Sequence, residues 1–285
     1  MTPRVTAILP TYNRTEAVAA MMPVFLALEG VNEIIVVDDG SDSDVAAVVD
    51  GVDPRVRVIR HDGNLGSPAA RNTGLAHAAG EWVVFLEDDC FFPADYVTTL
   101  LTVAEQSDAS LVGAPWIYVG DEDVDAAAVR ARATVPTRYG LATRPSSFPP
   151  TDLETPFLPA LALVRASVAR QVGFERAYRG NAYREETDFF VRVVRAGHRS
   201  VLTPRTFSWQ VQRYDGGQVR GWRADMWAIR NTVLFLRRHG AWLHEAGHAR
   251  RPALELMLYL YGMYATRVRG KILRGRRKLR RALRA

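Results

Sequence analysis

Three consecutive acids, Glu87, Asp88 and Asp89, close the apolar run "VVFLEDDCFFP" (83–93). A hard divalent cation takes carboxylate oxygens, and Mg²⁺ typically uses one or two of them while substrate phosphates complete its shell. Two adjacent aspartates at a strand end can divide that work, one on the metal and one on a ligand hydroxyl. They can equally terminate the strand and cap the next turn. "VVDDGSDSD" (36–44) places a second set of acids after an apolar run. An acid just beyond a parallel strand is well placed to hydrogen-bond a ribose hydroxyl or a base, and Gly40 allows the sharp turn; the same composition also makes a plain turn. In "NLGSPAARNTG" (64–74), Asn64 and Gly66 lead into a helix start, a natural anion site. Arg71 lies one turn in, within reach of a phosphate or a base edge, or serving only as a solvated surface charge. "YREETDFF" (183–190) puts Glu185, Glu186 and Asp188 at a helix start expected near Thr187, where the helix dipole favours carboxylates with or without a ligand.

These residues need elements to position them. "VTAIL" (5–9), "EIIVV" (33–37), "VRVIR" (56–60) and "EWVVFL" (81–86) read as strands. Between them, "TEAVAAMMPVFLAL" (15–28) and "SPAARNTGLAHAA" (67–79) carry helical patterning, the second with Ser67 as N-cap and Pro68 as the first helical residue. Strands alternating with helices imply an α/β fold with a mainly parallel sheet covered on both faces. Ligands of such sheets bind beyond the carboxyl ends of the strands, where "PTYNR", "DDGSDSD" and "EDDC" fall. The region 115–160 is looser, and its proline-rich part (144–159) reads as a loop bordering the site. Helical patterning resumes at "ALVRASVARQVGF" (162–174), "TDFFVRVVRAGH" (187–198) and "WRADMWAIRNTVLFLRRHG" (222–240). The expected organisation is a catalytic portion over 1–240, with a nucleotide-binding half (1–114) and an acceptor-binding half (115–240), and then a helical basic extension over 241–285.

The chain has 285 residues, 48% of them hydrophobic, which is ample for a sizeable core and excludes disorder over most of its length. Its single cysteine, Cys90, rules out an internal disulfide and fits a reducing compartment. There is no secretory pattern at the N-terminus and no uncharged apolar run of about 18 residues. A cytoplasmic protein is expected. The net charge of +6 is unevenly placed: ten of the 37 Lys and Arg residues lie between 265 and 285 without an acid, leaving 27 against 31 acids elsewhere.

"ILPTYNR", "IIVVDDGSDSD", "NLGSPAARNTG", "VVFLEDDC" and "YREETDFF" come in the order and spacing of the family two glycosyltransferases, which this chain resembles. These are inverting, nucleotide-sugar-dependent enzymes of the GT-A fold. The resemblance covers roughly residues 4 to 240 and includes "GFERAY" and "RNTVLFLRRHG". It implies that Pro10, Thr11, Tyr12 and Arg14 pack on the nucleotide and that Asp39 accepts a hydrogen bond from the base. It also implies that the Asn64 turn and Arg71 contact the nucleotide, and that Asp88 holds the ribose or a donor hydroxyl. Asp89, with Asp88 in the family's DxD element, is implied to ligate Mg²⁺ or Mn²⁺ on the diphosphate. The implied general base is Glu186, where many relatives have Asp; Glu185 and Asp188 are alternatives. The resemblance departs at Gln210, where many relatives have a histidine after the tryptophan, and at "PALALVR" (159–165), where they often show Gly-Asn.

The C-terminal segment turns from apolar to basic. Val268, Ile272, Leu279 and Leu283 fall on one helical face among Lys and Arg, the pattern of a helix that binds anionic lipid, with about 1 kcal/mol from each basic residue at the surface. This predicts a peripheral association with the inner face of the cell membrane, near a glycan or lipid-linked acceptor. A solvated tail or a homo-oligomer contact are the alternatives; nucleic acid is disfavoured because the most basic part has no aromatics for stacking. Rival functions are a nucleotidyltransferase, against which "PTYNR" stands where a glycine-rich basic loop belongs, and a catalytically weak nucleotide-sugar or membrane-binding module.

Overall fold

The computed structural model describes residues 4–120, 126–131, 141, 147–211 and 221–265. In chain order its elements are β1 (Val5–Thr11), α1 (Thr15–Leu26), β2 (Val31–Asp38), α2 (Ala46–Val49), β3 (Val56–Arg60), α3 (Ser67–His77), β4 (Trp82–Phe85), β5 (Cys90–Phe91), α4 (Tyr96–Ser107), β6 (Leu111–Gly113), β7 (Trp116–Gly120), α5 (Ala126–Arg130), β8 (Leu153–Glu154), β9 (Leu163–Arg165), α6 (Ala166–Val172), α7 (Glu185–Arg195), β10 (Ser200–Leu202), β11 (Ser208–Val211) and α8 (Trp222–Glu245). A last helix, α9, spans 252–265.

Eight strands form one sheet in the order β3-β2-β1-β4-β9-β6-β10-β8. The first four pair in parallel. β9 enters antiparallel between β4 and β6, β10 pairs β6 in parallel, and β8 closes the edge antiparallel to β10. A smaller sheet, β5-β11-β7, stands at the end of the large one.

The strand period of two sorts the core onto two faces. Val5, Ala7 and Leu9 join Ile34, Val36 and Val84 under α1 and α4. Their neighbours Ile8, Ile35, Val37, Val83 and Phe85 point the other way, toward α3, α6 and α7. Both faces are covered, as the apolar runs require. At Gly74 a Cβ would lie 2.4 Å from Ile8 Cγ2, so α3 can lie this close to β1 only with glycine there.

Three local expectations change. Leu163–Arg165 is a strand, not the first turn of a helix: its two apolar residues are buried on both faces inside the sheet, and helix begins only at Ala166. Ser67 is the first residue of α3 rather than its N-cap; the turn demands φ of 90°, which Gly66 supplies, and the Ser67 hydroxyl is bonded to Arg71 instead. The looser region carries β7, α5 and β8. α8 runs on to Glu245. The basic residues from 266 onward lie outside the described residues.

Candidate active site

The carboxyl ends of β1, β2 and β4 and the turn before α3 meet at one edge. β1 and β2 stay in register to Thr11 and Asp38, and the Asp39 N–H then donates to Thr11 O at 2.9 Å. Asn13, at φ 52°, exchanges hydrogen bonds with Asp42, while its own N–H donates to Ser41 Oγ. A Cβ on Gly40 would lie 2.6 Å from the Gly63 backbone, so the loops after β2 and β3 touch. Asp39 is buried and clamps the second loop. It accepts the N–H groups of Leu65 and Gly66 at 2.9 and 2.8 Å and lies 2.7 Å from His61 Nδ1. Pro10 and Tyr12 are half-buried beside this junction and Asn64 is exposed in the clamped turn.

At the end of β4 the acids are held by a cation from the chain itself. Arg14 Nη1 lies 2.7 Å from Asp88 Oδ1, and the same guanidinium donates to Asp89 Oδ2 at 3.1 Å. Thr11 Oγ1 donates to the other Asp88 oxygen. Burial raises the Asp88 carboxyl to about 6 despite Arg14, and the Glu87 carboxyl to about 7, with Asp89 and Glu186 adding repulsion. Ligand atoms of Glu87, Asp89 and Cys90 lie within 4.8 Å of one another. Mg²⁺ and Mn²⁺ favour oxygen over a thiol, and burial pushes the Cys90 thiol well up, keeping it protonated. The donor set that would fit a hard cation is therefore carboxylate: Asp89 with Glu87 or Asp88. Gln210 sits on β11 directly opposite Cys90, and Val211 N–H donates to the Asp89 carbonyl.

The second acidic cluster surrounds Arg71. This buried guanidinium contacts Glu185 and Ser67 closely, Glu186 Oε1 at 2.9 Å and Glu87 Oε1 at 3.8 Å, and lies 5.6 Å from the centre of the Phe174 ring. Phe174 stacks on Phe189 of α7 at 4.2 Å, which fixes that helix beneath the arginine. Three carboxylates around one guanidinium leave excess negative charge in a buried place. Burial raises the Glu185 carboxyl, against the pull of Arg71. Asp188 is fully buried: Tyr178 Oη, His239 Nε2 and Arg192 Nε sit 2.9, 2.8 and 2.6 Å from it, and Arg192 also caps Val172 and Gly173 carbonyls. His239 comes from α8, so Asp188 ties α7 to α8. Of the three acids at the start of α7, Glu186 is the one open to solvent, with its side chain 21% exposed against 2% for Glu185 and 0% for Asp188.

The structure thus brings Thr11, Arg14, Asp88 and Asp89 together, and Arg71 with Glu87, Glu185 and Glu186. Asp39 faces the loop backbone and Asp188 faces α8. Tyr178 and His239 lay in "GFERAY" and "RNTVLFLRRHG" without a role assigned to them, His61 lay outside the quoted motifs, and Arg192 was signalled only by its i, i+4 spacing from Asp188.

The family model described as "Glycosyl transferase family 2" matches residues 6–173. The chain belongs to this family. A succinoglycan biosynthesis protein, ExoO, of Rhizobium meliloti (strain 1021) is 35% identical over 111 residues, 38% of this chain and 32% of that protein. An undecaprenyl-phosphate 4-deoxy-4-formamido-L-arabinose transferase of Sodalis glossinidius is 31% identical over 118 residues, 39% of this chain and 36% of the relative. The match thus spans about a third of each of these two relatives. Among solved structures, S. aureus TarS 1–349 in complex with UDP-GlcNAc superposes with a TM-score of 0.60 at 16% identity, covering 81% of this chain and 65% of that one. The mannosyltransferase PcManGT of Pyrobaculum calidifontis, in complex with GDP-Man and Mn²⁺, gives 0.58 at 19% identity, covering 83% and 65%. These likenesses carry the fold: the chain has the mostly parallel, helix-flanked sheet of the GT-A enzymes.

Proposed function

We propose that the enzyme transfers a sugar with inversion from a nucleoside-diphosphate donor, a UDP-sugar in the first instance, to a hydroxyl of a lipid-linked or cell-envelope glycan. The observation that carries this reading is that Arg71 touches both Glu87 of the strand-end triplet and Glu186 of α7. One guanidinium therefore links a carboxylate cluster suited to a cation with a solvent-open carboxylate. Glu186 takes the acceptor hydroxyl proton as that oxygen attacks the anomeric carbon; the bond from that carbon to the diphosphate oxygen breaks, and the nucleoside diphosphate leaves with the electron pair. Asp188 is engaged on all sides and Glu185 is sealed against Arg71, so both serve as positioning residues. Asp89, with Asp88 or Glu87, would hold Mg²⁺ or Mn²⁺, which when bound neutralises charge on the leaving diphosphate. Thr11, Tyr12, Pro10 and the Asn64 turn form the wall for the nucleoside, with Asp39 bracing that wall from behind.

A relative named for undecaprenyl phosphate and one named for succinoglycan biosynthesis support the acceptor class, and neighbours bound to UDP-GlcNAc and to GDP-Man with Mn²⁺ support the donor class. Thermal-shift measurements of the purified chain against UDP-, GDP- and dTDP-sugars with Mn²⁺ test the donor. Stabilisation by none of them, together with no release of nucleoside diphosphate, would sink the proposal.

A further inference from the structure

The last described helix, α9, buries one face and leaves the other bare. Leu256 packs against the cluster of Phe235, Leu236 and Leu243 on α8. Tyr259 stacks on Tyr183 at 5.8 Å. Glu255 is buried, one oxygen accepting the Arg250 N–H at 2.8 Å. On the outer side Leu254, Met257, Tyr261 and Tyr264 are spaced 3, 4 and 3, one helical face, and the last three are 66, 71 and 68% exposed. Glu255 is the only acid in the sequence after Glu245, so the outer face carries no negative charge. Beyond residue 265 the sequence holds ten Lys and Arg and no acid.

We propose that the Leu254–Met257–Tyr261–Tyr264 face of α9 is an apolar docking surface for an anionic lipid bilayer. An exposed apolar row with tyrosines suits the boundary between headgroups and acyl chains. The positive charge beyond it suits anionic headgroups and opposes a second copy of the same basic segment. No described helix is long and apolar enough to cross a membrane, so the contact is lateral. The surface has a direct route to the site. Tyr183 and Arg184 immediately precede Glu185, and the Arg184 guanidinium lies 5.8 Å from the Tyr259 ring and 4.9 Å from the Tyr183 ring. Docking through α9 therefore holds the start of α7 close to the lipid surface. This last step, delivery of a lipid-linked acceptor to Glu186, rests on the proposed transferase reading; the surface itself does not.

The test is flotation of the full chain with phosphatidylcholine vesicles, with and without phosphatidylglycerol, for wild type and for the triple variant Met257→Ser/Tyr261→Ser/Tyr264→Ser. The exposed positions leave folding intact, which a matching thermal melt and unchanged donor hydrolysis without vesicles verify. The wild type is expected to float only with anionic vesicles, and the triple variant to partition about tenfold more weakly. Equal flotation of the two proteins would overturn the role of α9. A wild-type dimer in light scattering that becomes a monomer in the triple variant, without flotation of either, would assign the face to a second copy and overturn the proposal. Flotation that depends on the face, in a protein that hydrolyses no donor, would remove the transferase reading and leave the docking surface standing.

Discussion

Two arginines each hold an acidic cluster, and they hold it differently. Arg14 reaches Asp88 and Asp89 from a loop, with its side chain 16% exposed. Arg71 reaches Glu185, Glu186 and Glu87 from inside α3, with its side chain 3% exposed, against a stacked pair of phenylalanines. On the proposed reading the first guanidinium gives way to a metal ion, since a loop side chain has somewhere to go. The second cannot leave, because its departure strands Glu185 in a dry interior. The proposed reading thus separates a place where charge would be exchanged from a place where charge is fixed, with Glu186 the one carboxylate of the second cluster's helix start left open to solvent.

The contrast can be broken most sharply at Glu186. Glu186→Gln keeps the shape and removes the proposed proton acceptor, so transfer should fall by about a thousandfold while donor binding by thermal shift persists. Retained turnover would move the base elsewhere. Next in size is Arg71→Gln, which takes the shared cation from Glu185, Glu186 and Glu87 and should cost about 3–5 kcal/mol of stability. Added Mn²⁺ should not restore it. Arg14→Gln is the counterpart: its loss of melting temperature should be recovered by Mn²⁺, since a divalent ion can take over the vacated acids. Equal response of the two variants to Mn²⁺ would dissolve the distinction between them.

A smaller effect concerns pH. The folded Glu185 carboxyl is raised above its ordinary value by burial, so the native state holds a proton that the unfolded chain releases. That contribution is complete below the unfolded value near 4.5 and is lost as pH rises toward the folded value. Glu185→Gln, which cannot ionise, should therefore gain on wild type between about pH 5 and 8, by at most about 1.4 kcal/mol per pH unit. A constant difference between the two melting curves would show that Glu185 is ionised throughout. The smallest effect is expected at Gln210, opposite Cys90 on β11. Gln210→His should tighten Mn²⁺ binding by an order of magnitude or less, measured by titration of the metal alone.

Much of this was legible in the sequence because it rests on local pattern. The apolar runs that end at residues 9, 37 and 86 became β1, β2 and β4, since residues buried on both faces of a parallel sheet must be continuously apolar, and the alternating "VRVIR" became the half-buried edge strand β3. The acids at those ends fell where such sheets bind ligands. The partners of the acids were not legible, because they come from far along the chain: Arg14 lies 75 residues from Asp89, Arg71 lies 114 from Glu185, and His239 lies 51 from Asp188. Asp39 shows the same limit. Its place after β2 was clear, but its bonds to the Leu65 and Gly66 amides depend on how two loops meet. Short strands fared worst. β5, β8 and β9 have two or three residues each, too few to show a period, and only their pairing partners define them.

The antiparallel entry of β9 has a consequence for the order in which the protein can be made. β4 and β6 lie close in sequence, yet they join only through Leu163–Arg165, which emerge from the ribosome about fifty residues after Gly113. Until then the nascent chain carries four parallel strands with the apolar edge of β4 open, the kind of edge that recruits foreign strands. Closure of the central sheet is thus a late event in synthesis. Sequence changes that slow the delivery of β9 should show first as lost soluble yield at the bench, before any loss of turnover in the molecules that do fold.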